Sequence, residues 1–174
     1  MEEAVKAQWS SNERKDDLHF FPLEGLLPAG QALSVNTAYL VISLVSTNSV
    51  SGNPILLQRL MTELQMRLLL PLLESPHYCP HEVLYASLFY SYRGLLAGLF
   101  SSDCSAREEW QTTIEEKRVF LQRAHESGSL KRDLKPLYNA LSKLRSKLRP
   151  FGLEIAISTS RSAYALISLP VPRQ

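Results

Sequence analysis

The sequence predicts a mainly α-helical fold that closes in a C-terminal β-hairpin and is preceded by an α-helical extension. Three observations carry that prediction. Within residues 129–149, Leu134, Leu137, Leu141, Leu144 and Leu148 recur at steps of three and four, which makes one apolar stripe on a helix. Just beyond Pro150 and Gly152, Leu153, Ile155 and Ile157 alternate with Glu154, Ala156 and Ser158, and Tyr164, Leu166 and Ile167 follow a polar run, the pattern of two short strands. Upstream, residues 35–47 and 54–74 carry apolar side chains at helical spacing.

Taken in order, residues 1–17 mix charge signs without a period and are expected to form a mobile tail. Residues 18–33 hold Pro22, Gly25, Pro28 and Gly30 among apolar residues and read as an irregular cover. Ser34 and Asn36 offer caps for a helix running to about Thr47, with Val35, Tyr39, Ile42 and Val45 on one face. After a turn at 48–53, Pro54 suits the first position of a second helix, 54–74, where its missing N–H has no partner to lose. Leu56, Leu57, Leu60, Met61, Leu64, Leu68 and Leu69 make that helix apolar over more than one stripe. Two readings stand open: a central core helix, or, together with 35–47, a dimerisation element. The organisation expected is a tail at 1–17, a helical extension at 18–78 and a domain at 79–174.

That domain opens with Cys79-Pro80-His81-Glu82, where Pro80 suits the first turn of a helix and the helix dipole favours the carboxylate of Glu82. Val83, Leu84, Leu88, Tyr92 and Leu95 face its core. Ser105 and Glu108 have the spacing of a capping box ahead of helix 106–127, with Trp110, Ile114 and Leu121 as apolar positions and Gly128 as the stop. Helix 130–149 comes next. Lys135, Asn139, Ser142, Lys143 and Ser146 fall away from its leucine stripe, and Arg145, Lys147 and Arg149 border it.

Charge separates the two parts of the chain. Residues 1–128 carry ten Lys/Arg against fifteen Asp/Glu, whereas residues 129–174 carry nine against two, in a protein whose formal net charge is +2. A basic segment of this kind is the footprint of a polyanion-binding surface.

A basic amphipathic helix followed at once by a β-hairpin is the closing part of a winged helix-turn-helix. Leu137, Leu141, Ser142, Leu144-Arg145, Lys147-Leu148 and Tyr164-Ala165-Leu166 resemble the recognition helix and wing of the OmpR/PhoB-type DNA-binding domain. Cys79-Pro80-His81-Glu82 through Leu88 is similar to that family's first-helix opening, so the resemblance spans about 79–168. The wing departs from the family pattern, since Arg161-Ser162-Ala163-Tyr164-Ala165 lacks both of the family's glycines and the Arg after Tyr. The N-terminal region, without paired acidic residues or a strand-ending Asp, is not expected to form a receiver domain.

The resemblance implies that helix 130–149 enters the major groove of double-stranded DNA, with Lys135, Ser142, Lys143 and Arg145 at the family's groove and phosphate contacts. Asn139 suits an adenine, because its amide can bond two base atoms at once. Lys131, Arg132 and Ser146 extend the same polar surface, and Arg161 on the wing would meet the minor groove or backbone. The function expected is transcription regulation by a homodimer formed through residues 35–74, with RNA polymerase a further candidate partner. The alternative is a winged-helix adaptor that contacts another protein and reads no DNA.

No phosphate-binding GxxxxGK[ST], dinucleotide GxGxxG, zinc HExxH or nucleophile GxSxG motif occurs, so neither catalysis nor a cofactor is expected. Cys79 and Cys104 have neither the number nor the spacing of a zinc site and read as packing residues. No apolar run reaches the ~18 to 20 residues of a membrane span, and the charged start lacks the core of a signal peptide, so a cytoplasmic location is expected.

Overall fold

The computed structural model describes residues 17–48, 54–158 and 160–170. The tail expected at 1–17 lies outside these residues except for Asp17. The chain divides into two compact units, Met1–Thr62 and Glu63–Gln174.

The first unit is an antiparallel sheet of β1 (Leu18–Phe21), β2 (Gln31–Asn36), β3 (Val41–Ser46) and β4 (Ile55–Leu60), paired in chain order. Strands therefore stand where helices were expected over 35–47 and from residue 54. The same apolar residues satisfy a period of two, and the register places Phe21, Leu33, Leu44 and Leu57 in one cross-strand row and His19, Val35, Ile42 and Arg59 in the next. Leu33, Val35 and Ile42 are fully buried on that face. Val41, Ile42 and Val45 add β-branched side chains, which favour extended backbone. Asn36 caps no helix. Its Oδ1 accepts from the Ala38 and Tyr39 amides at 3.1 and 2.9 Å, closing a turn in which Leu40 takes φ +58°.

The mainly α fold class with a helical N-terminal extension is thus overturned: a four-stranded sheet precedes the helices, and a second sheet pairs a two-residue strand between the first two helices with the C-terminal hairpin.

The second unit runs α1 (Glu63–Glu74), β5 (Cys79–Pro80), α2 (His81–Phe89), α3 (Tyr92–Phe100), α4 (Cys104–Ser127), α5 (Leu130–Asp133), α6 (Lys135–Leu148), a 3₁₀ turn at Arg149–Phe151, β6 (Leu153–Ser158) and β7 (Ala163–Ser168). Only the second part of segment 54–74 is helical, and it is core. Met66, Leu68, Leu69, Leu70 and Leu72 are fully buried in α1, which packs against α2, α3, α6 and β7. Arg67 of α1 donates from Nη1 to the carbonyls of Leu88 and Tyr90 at 2.9 Å each, satisfying the open end of α2.

Two helices expected to be continuous are broken. Ser91 leaves helical backbone and its Oγ accepts from the Gly94 amide at 3.0 Å, so α3 starts as a new helix. Leu134 separates α5 from α6, and Pro136 in the first turn of α6 has no N–H to continue the earlier turn. Asp103, not Ser105 with Glu108, caps α4, its carboxylate accepting from the Ser105 amide at 2.9 Å. Gly128 ends α4 at φ +79°. Gly98 lets α3 lie against α4, because a Cβ there would stand 2.7 Å from Cβ of Trp110. Trp110 packs in turn with Ala86 and Leu95.

The hairpin of β6 and β7 occupies the expected residues, and β5 joins it on the far side of β7, giving the order β5-β7-β6. Cys79 is buried in β5, and burial pushes its thiol up to about 12. Cys104, expected to pack, is exposed in the first turn of α4. Among the described residues, no helix is long and apolar enough to cross a membrane.

Candidate nucleic-acid interface

The apolar stripe of α6 sets the geometry of its opposite side. Leu137, Leu141, Leu144 and Leu148 are buried, each contributing ~1.5–3 kcal/mol by leaving water. Helical geometry then turns Lys135, Asn139, Ser142 and Ser146, at steps of four, three and four, onto the exposed side, with Lys143 beside them. No acidic residue occurs between Asp133 and Glu154. Five of the nine expected site residues therefore share the exposed side of a helix that carries no acid of its own.

The other four stand apart from that stripe. Lys131 and Arg132 are exposed on the separate single turn of α5. Arg132 lies 3.6 Å from Asp133, whose carboxylate also accepts from Ser129 Oγ at 2.8 Å. Arg161 is exposed at the turn between β6 and β7. Arg145 is spoken for. Its Nε donates to the Ile155 carbonyl at 3.2 Å and lies 3.3 Å from Glu154 Oε1, so it clamps α6 to β6. Glu154 reaches a second arginine, with Oε2 3.5 Å from Arg149 Nε. One carboxylate thus holds two cations, and only Arg149 of the pair keeps a largely exposed side chain, at 63%.

No family model, curated protein or solved structure matches the chain.

One exposed neighbour of this surface is missed by spacing alone: Tyr138 is 40% exposed beside Asn139 and lies near Tyr164, whose phenol is pushed up by burial and then by Tyr138. Arg149, at the margin of the helix, is exposed in the 3₁₀ turn and lies 3.5 Å from Glu154. The partner of Arg145 is Glu154 on the adjoining strand. The alternation of 153–158 carries that signal, since Leu153 and Ile155 face the core and send Glu154 the other way.

A cationic helix face with amides and hydroxyls between its charges can do two things chemically. Its lysines can neutralise phosphates, and Asn139 can donate to and accept from one base edge. The helix, ~10–12 Å across with its side chains, matches the ~12 Å width of the B-DNA major groove.

Proposed function

We propose that the protein is a DNA-binding transcriptional regulator that presents α6 to the major groove of double-stranded DNA, as its resemblance to OmpR/PhoB-type regulators implies. The observation that carries the reading is the exposed face of Lys135, Asn139, Ser142, Lys143 and Ser146 on a helix that carries no acid of its own. Lys135 and Lys143 serve phosphates, Asn139 serves a base, and Arg161 on the hairpin turn and Lys131 and Arg132 on α5 serve the flanking backbone. Arg145 positions α6 on β6 and touches no nucleic acid. A cytoplasmic location goes with this function.

Salt titration tests it. A protein that neutralises several phosphates loses ~10³-fold or more in affinity between 50 and 200 mM salt. Absence of binding to duplex DNA at 50 mM salt ends the proposal.

The assembly proposed with it is a homodimer through the strand part of residues 35–74, α1 being core, supported by Leu56 and Leu60 of β4, which are 53% and 65% exposed. Leu60→Glu then converts the dimer to monomer in light scattering, because an unpaired charge cannot be buried in an apolar interface. Wild type that is monomeric at high concentration overturns it.

A second reading, a protein-contacting adaptor, is favoured by the exposed aromatics of α2 and α4. Phe89 and Phe120 are 56% and 44% exposed and, with Tyr85, lie under Lys117 Nζ at 5.1, 6.0 and 5.8 Å. An adaptor shows no salt slope on DNA.

A further inference from the structure

The sheet unit carries a feature that DNA binding does not use. On the face opposite Leu33, Val35 and Ile42, the register sets Phe20, Ser34, Ser43 and Gln58 in one cross-strand row. A cavity of about 600 Å³ lies over that row, within the roughly 300–1,000 Å³ of small-molecule sites. Among the described residues its lining contains no charged residue.

The floor of the cavity is polar and its walls are apolar. Gln58 Nε2 donates to Ser43 Oγ at 2.9 Å. Ser34, cross-strand from Ser43 and only 7% exposed, has a hydroxyl without a hydrogen-bond partner among the described residues. Leu18, Val41, Val45 and Ile55 supply the walls, and Phe20 stands 60% exposed at the rim.

We propose that this cavity binds an uncharged, largely apolar small molecule bearing a carbonyl or hydroxyl group, which takes the hydrogen bond of Ser34 Oγ. The walls match the apolar body, and the serine row matches the single polar group. An ionic ligand is rejected because stripping water from its charge would find no counter-charge in the lining. The site is independent of α6, so it stands or falls apart from DNA binding.

Prodan, an uncharged naphthalene ketone whose emission moves to the blue on leaving water, tests the site in the full chain. Saturable blue-shifted emission with one site per chain is expected. Ser34→Ala weakens it about tenfold, the factor of one lost hydrogen bond, while the melting temperature changes little. Ser34→Leu fills the floor and abolishes binding; should that variant fail to fold by circular dichroism, Val45→Trp does the same from the wall. Anionic anilinonaphthalene sulfonate binds at least tenfold more weakly than prodan. The proposal is overturned by a titration that never saturates, by Ser34→Ala and the filling variants binding prodan like wild type, by tighter binding of the anion, or by loss of the site on self-association, which would show a second copy covering this face.

Discussion

The sheet unit and the helical unit both bury leucines, yet they leave different chemistry facing water. In the helical unit α6 buries one leucine stripe, and its outward side is cationic and amide-bearing. In the sheet unit the outward side is uncharged where the cavity lies: serines and a glutamine at the floor, aliphatic and aromatic walls around them. The difference teaches that a secondary-structure period decides which residues meet on a surface. Steps of three and four gather Lys135, Asn139, Ser142 and Ser146, whereas a period of two and strand pairing gather Phe20, Ser34, Ser43 and Gln58, residues that lie far apart in sequence.

The comparison can be broken most forcefully in the two cores. Leu33→Ala in β2 and Leu141→Ala in α6 each truncate a side chain with no more than 1% exposure, and each should cost ~2–5 kcal/mol in denaturant unfolding. A loss below ~0.5 kcal/mol at either site would mean that its face is not core. Next comes the helix contact at Gly98. Gly98→Ala puts a methyl 2.7 Å from Cβ and 2.9 Å from Cγ of Trp110, so ~1–3 kcal/mol of destabilisation by overpacking is expected, with reduced near-ultraviolet ellipticity from the displaced indole.

Acid sharpens the comparison, because each unit holds one histidine whose pKa is lowered. Burial lowers His19 in the sheet unit against the opposing charge of Asp17, and burial lowers His81 in the helical unit against Glu82. A histidine whose folded pKa lies below its unfolded value of 6.5 favours the folded state while neutral. Stability is therefore full above about pH 6.5 and falls as pH drops through and below it. Thermal melts between pH 7.5 and 5 should show this loss, and His19→Gln and His81→Gln should each flatten part of it; variants that keep the full wild-type slope would discount the buried histidines.

The smallest expected change in stability is at the outward face of α6. Lys135→Ala with Lys143→Ala should alter folding by no more than ~0.5 kcal/mol while lowering the salt slope of duplex binding by about 2. Asn139→Ala should weaken one preferred sequence by ~1–3 kcal/mol and leave random duplex nearly unaffected. Unchanged duplex binding in all three changes would move the reading to the adaptor.

How much was legible differed by region for a physical reason. Helix α6 and the β6–β7 hairpin could be read from local pattern because the strands adjoin in sequence, and the helix keeps one stripe over its whole length with Pro150 and Gly152 as a stop. The same method placed helices over 35–47 and from 54, where the structure has strands. Val35, Ile42 and Val45 fit both periods over so short a window, and what selects the strand is pairing with β1 and β4, a non-local contact that leaves no trace in local spacing. In segment 54–74 an apolar run hid a change from β4 to α1.

The sequence by itself determined the leucine stripe, the cationic outward face and the charge asymmetry between residues 1–128 and 129–174, since each depends only on residue type and local spacing. Only the tertiary structure decided that Glu154 occupies Arg145 and Arg149, that Gly98 admits Trp110, and that Ser34 lies unpartnered beneath a cavity. Each of these joins residues from different elements, and which elements come together is set by the burial and hydrogen bonding of the folded unit rather than by any one segment.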